Sequence, residues 1–118
     1  YIQYTYVRTK SVLEKAGYIP KVKDINVECM QDKYSQNIIK LIYNFEDLLN
    51  QVTEKNEPSI LARYLIDLSK VYSIFYNENK IICDDKELQD ARVFLSFATG
   101  KVLKQGAELI GMKMPNKM

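Results

Sequence analysis

Apolar side chains recur along this chain at the three- and four-residue steps of a helix almost from the first residue. With each residue advancing about 100° from Tyr1, the positions Ile2, Tyr6, Thr9, Leu13 and Ala16 gather into one stripe that should face a core. Gly17 is the stop signal, so the first helix is expected from the start of the chain to about Ala16. Residues 18–33 have no clear period and contain Pro20, which reads as a loop. A second helix is expected from near Ser35 through Ile38, Ile39, Leu41 and Ile42. A bend around Asn44 then leads to Leu48, Leu49, Val52 and about Lys55.

Pro58 suits the first turn of a third helix. Leu61, Leu65, Leu68, Tyr72 and Phe75 follow as a continuous stripe, and Asn79 lies near its end. Asp84 and Asp85 suit the start of a fourth helix, where carboxylates meet free amides and the positive end of the dipole. The expected stripe there is Leu88, Ala91, Leu95, Ala98, Val102 and Leu109. Gly100 and Gly106 interrupt it where another helix would pack close, and Gly111 ends it. No strand period and no internal repeat appears. The pattern predicts an all-α helical bundle of four long helices, or five if the second is split.

The same angles separate the tyrosines of the first helix. Tyr6 falls in the core stripe. Tyr1, Tyr4 and Arg8 fall roughly 130° away from it, with Ser11 and Lys15 close behind. An outward row of two rings and a guanidinium, extended by Lys15, sets aromatic faces beside positive charge. Unpaired bases stack on such surfaces while cations hold phosphates. The same row would equally serve as a docking face for other domains or another protein, without RNA. Tyr76 and Asn77 lie at the edge of the third stripe and offer a second candidate ring with a polar neighbour.

Composition narrows the field. The 47% apolar and 27% charged residues are the balance of a soluble globular unit of 118 residues. No apolar run approaches the roughly 18 residues of a membrane span, so no membrane partner is expected. Net charge is only +2, but its distribution is uneven. Arg8, Lys10, Lys15, Lys21 and Lys23 against Glu14 give the first 23 residues +4. Lys101, Lys104, Lys113 and Lys117 against Glu108 give the last 18 residues +3. The middle carries −5. Two basic ends make one positive face only if they meet in space.

Chemistry is sparse. Without histidine the commonest general base is gone, and no glycine-rich phosphate loop or metal-ligand spacing occurs. Cys29 and Cys83 form no CxxC pair and read as two thiols in a reducing compartment. No catalytic residue, metal or cofactor is expected in this segment. Because Tyr1 already stands in helical pattern, the chain reads as a piece of a longer protein.

Three stretches carry a resemblance that spans nearly the whole chain: the opening Y-I-Q-Y-T-Y-V-R, the central L-A-R-Y-L-I-D-L with F-Y-N, and the close V-L-K-Q-G-A-E-L-I-G-M-K-M-P-N-K-M. Together they resemble the C-terminal anticodon-binding, or DALR, domain of arginyl-tRNA synthetases. The resemblance implies an all-α bundle of class I synthetase type occupying 1–118 as one domain. The catalytic domain would lie elsewhere in the same polypeptide, in the cytoplasm. It implies a parent enzyme that uses ATP with magnesium to join arginine to its tRNA, and a partner in the anticodon loop of arginine tRNA. It places Tyr1, Tyr4, Arg8, Tyr76 and the terminal Met118 against that loop, which makes Lys15 and Asn77 their neighbours. Arg92, in the stretch Gln89-Asp90-Ala91-Arg92, is expected to make structural contacts.

Overall fold

Local chemistry sets most helix ends in the computed structural model, which describes residues 1–111. Helix α1 covers Ile2–Ala16 and stops at Gly17, whose φ of 79° and N–H bonded to the Leu13 carbonyl form a left-handed cap. Helix α2, Lys33–Tyr43, starts two residues earlier than the apolar pattern suggests. The reason is Asp32, whose carboxylate accepts the Ser35 N–H and caps the first turn. The bend at Asn44 is a true break: α3 runs Phe45–Lys55. Helix α4, Pro58–Glu78, has proline in its first turn. Helix α5, Lys86–Leu109, is capped by the Asp85 carboxylate on the Leu88 N–H. The architecture is the expected all-α bundle, with five helices and no strand among the described residues.

Helix α5 is the axis. Helices α1, α2 and α4 all pack on it, and α3 closes against α4 and α2. Every member of the α4 stripe is buried, from Leu61 to Phe75. On α1 the buried set is Ile2, Thr5, Tyr6, Thr9 and Val12, while Leu13 and Ala16 are only half-buried. The α5 stripe departs further from expectation. Leu88 and Ala98 are half-buried and Leu109 is 61% exposed, whereas Val93, Ser96, Thr99, Leu103 and Ala107 are buried. A helix covered from several sides has no single apolar stripe, so counting one period misplaces it.

Both α5 glycines mark close approaches. A Cβ at Gly100 would stand 2.5 Å from Thr9 Oγ1 on α1, and one at Gly106 would stand 2.7 Å from Leu65 Cδ2 on α4. The connection between α1 and α2 holds two short 3-10 turns, Val22–Asp24 and Val27–Met30. Tyr18 donates to the buried Asp90 of α5, and Gln89 Nε2 donates to Tyr18 Oη at 3.1 Å, which ties the start of that connection down. Cys29 and Cys83 are free thiols.

Candidate nucleic-acid interface

The outward row on α1 meets α4, and the meeting makes the site. Tyr1 is 59% and Tyr4 48% exposed, while Tyr6, two residues on, is buried. Tyr1 Oη donates to Ser73 Oγ of α4 at 3.0 Å. Arg8 Nη2 donates to Tyr4 Oη at 3.0 Å. The Arg8 guanidinium also lies over two rings, with its carbon 4.9 Å from the centroid of Tyr4 and 4.3 Å from that of Tyr76. It thus bridges the two helices through cation–π contacts, each worth roughly 0.5–2 kcal/mol according to exposure.

Tyr76 is half-buried because its other neighbour is the core. Its ring lies 6.3 Å from that of Tyr72, which is fully buried and shares a 2.7 Å hydrogen bond with Ser96 Oγ. Burial pushes the Tyr72 phenol well above its ordinary pKa. A column of aromatic and cationic groups therefore runs outward from the core: Tyr72, Tyr76, Arg8, Tyr4.

The remaining candidates surround this column. Lys15 is exposed and joins Tyr76, Val12 and Lys80 around a hollow of about 270 Å3. Asn77 is exposed on α4 next to Tyr76, on the side of that helix that carries Ser73. Met118 lies outside the described residues. Arg92 makes the expected structural contact, donating from Nη1 to the Lys80 carbonyl at 2.7 Å. Ser73 and Lys80 were not among the expected site residues. Ser73 lies a helical step from Tyr76, at i−3, and that spacing was the signal available, whereas Lys80 lies beyond the end of α4, where helical spacing gives no signal.

The surface is built for planar, electron-rich partners. It offers ring faces, one guanidinium and a nearby ammonium, and its column contains no carboxylate. Among the described residues no three of His, Cys, Asp and Glu cluster to hold a metal, and no helix is long and apolar enough to cross a membrane.

Comparison with known proteins gives the family. The family model described as the DALR anticodon binding domain matches residues 2–118. The chain belongs to that family. This DALR chain is 44% identical over 118 residues to the arginine–tRNA ligase of Halothermothrix orenii, aligning all of itself with 21% of that relative. It is 37% identical to the Streptococcus suis enzyme, of which it covers 20%. Among solved structures, arginyl-tRNA synthetase from Thermus thermophilus matches the DALR chain with a TM-score of 0.89 at 25% identity, covering all of this chain and 21% of the other. The Plasmodium falciparum enzyme matches with a TM-score of 0.80 at 29% identity, with the same coverages. The chain spans about a fifth of the length of the curated relatives it matches.

Proposed function

We propose that this chain is the anticodon-binding module of an arginine–tRNA ligase, and that it takes the anticodon loop of an arginine tRNA against the α1/α4 face. Residues 1–118 form one module of a longer cytoplasmic enzyme. The catalytic part of the same polypeptide uses ATP with magnesium to activate arginine and join it to the tRNA. The observation that carries the reading is the convergence of Tyr1, Tyr4, Arg8 and Tyr76 from two helices onto one accessible surface. The arginine–tRNA ligases that match the whole of this chain support the same substrate.

In this reading, bases splayed from the loop stack on Tyr4 and Tyr76, with Tyr1 at the outer edge. Arg8 donates to a base edge or a phosphate with the guanidinium N–H groups left over from Tyr4. Lys15 supplies charge to the backbone, Asn77 completes the rim, and the resemblance to the family adds Met118 as a further contact to the loop. Anticodon choice comes from hydrogen bonds to the splayed bases, since stacking tolerates every base.

A titration tests this. The chain is mixed with an arginine-tRNA anticodon stem-loop and, separately, with a stem-loop carrying another anticodon. Tighter binding of the first, weakening as salt rises, is expected. Tyr4→Ala should weaken it by roughly 1–3 kcal/mol with the circular dichroism spectrum unchanged. Equal affinity for both loops, or no effect of Tyr4→Ala, overturns the reading. Loss of all RNA binding by the wild-type chain would leave the row a protein-docking face.

A further inference from the structure

The two basic ends of the sequence do meet. Where α1 and α5 pack at Gly100, an open groove of about 300 Å3 runs along the flank of α1 turned away from Tyr4 and Arg8. Tyr6, Leu13 and Phe97 contribute to its floor. Lys10 from one end of the chain and Lys101 and Lys104 from the other stand around it, and no carboxylate lines it. Among the described residues none of these three lysines is in an ion pair. Lys101 Nζ sits 5.9 Å from the centroid of the Phe97 ring.

Three ammonium groups around one groove whose lining holds no carboxylate, with Glu14 and Glu108 a helical turn away from Lys10 and Lys104, repel one another, and a polyanion relieves that repulsion. Their aliphatic stems lie well on the apolar floor while the heads stay in water. Lysine is a compact point charge without the fixed fork of arginine. The groove's cations are lysines alone, and its charge suits phosphates whatever the bases attached to them.

The groove and the aromatic column flank one helix. On α1, Lys10 lies about 120–160° around from Tyr4 and Arg8, and Gln3, Val7, Ser11 and the exposed carboxylate Glu14 occupy the ridge between them. A helix with its side chains is about 10–12 Å across, narrow enough for one RNA hairpin to straddle. We propose that the α1/α5 groove holds backbone phosphates of the anticodon stem, through Lys10, Lys101 and Lys104, while the loop of the same hairpin engages the opposite flank of α1. This rests on the anticodon-loop reading above and adds to it a second, sequence-blind half of the interface.

The test uses the triple variant K10A/K101A/K104A and two RNAs: the full arginine anticodon stem-loop and a linear oligonucleotide of the loop alone. On the stem-loop the variant should bind roughly tenfold or more weakly near 100 mM salt, with a salt dependence shallower by about 0.9 in log–log slope for each phosphate no longer neutralised. The weakening should be the same for every anticodon. On the bare loop the variant should match wild type, whereas Tyr4→Ala weakens both RNAs and leaves the slope unchanged. The Lys→Arg triple variant should restore stem-loop binding, which separates an effect of charge from a failure to fold. An unchanged slope, or equal weakening on the bare loop, overturns the groove assignment and leaves the loop reading standing. A wild-type chain that binds neither RNA overturns both.

Discussion

Tyr72 and Tyr76 sit one turn apart on α4 and answer to different demands. Tyr72 is sealed among Phe75, Ile38 and Ala91, its hydroxyl bound to Ser96. Tyr76 touches Tyr72 on the inside, but Arg8 lies over its ring on the outside. A displacement of about 40° around the helix turns a fully buried ring into a half-buried one at the surface. Depth in the bundle, rather than residue type, separates the part of the molecule that holds the fold from the part that is offered to a partner.

That contrast is sharpest in the core. Phe75→Ala, beside Tyr72, should cost about 3–5 kcal/mol of unfolding free energy, measured by urea denaturation. Gly100→Ala should come next. Its methyl would enter the space of Thr9 Oγ1, which already donates to the Tyr6 carbonyl at 2.6 Å, so α1 must shift on α5. A loss of about 1–3 kcal/mol is expected, read as a lower melting temperature.

High pH probes the inner ring. Burial holds the Tyr72 phenol neutral in the fold to higher pH than in the unfolded chain. Its contribution to stability is full below the unfolded pKa of about 10. It is lost as pH rises beyond that, because the unfolded chain gives up a proton that the fold retains. Unfolding free energy measured across pH 9–12 should therefore fall above about 10, and Tyr72→Phe should flatten the decline. Tyr64, whose phenol burial also raises, adds to the residual slope. Tyr76→Phe should change stability least, by less than about 0.5 kcal/mol. A large loss there would erase the distinction between the two rings.

Helix ends were legible because they are set within a few residues: Gly17 at a left-handed cap, Pro58 in a first turn, Asp85 over Leu88 N–H. The outward placement of Tyr1 and Tyr4 was legible for a similar reason, since a helical period fixes which side chains share a face. What depends on distant partners was not. Val93 and Leu103 are buried and Leu109 is not, because α1, α2 and α4 together decide what α5 covers. The bond from Tyr18 to Asp90 joins residues 72 apart, and no local pattern signals it. The candidate site divides in the same way. Its members could be named one by one, but the stacking of Arg8 on Tyr76 exists only because α1 crosses α4 at that turn.

The position of Arg8 has a thermodynamic consequence. Its guanidinium already occupies one face of the Tyr76 ring and one of Tyr4, so the unliganded protein serves as its own first ligand there. Any planar guest arriving at that shelf either displaces this internal occupant or adds to the stack beyond it. In the first case binding is an exchange, with the cost of ejecting Arg8 set against the gain from the newcomer. Removing Arg8 would then vacate a slot as well as delete a contact, and the two effects act on affinity with opposite sign.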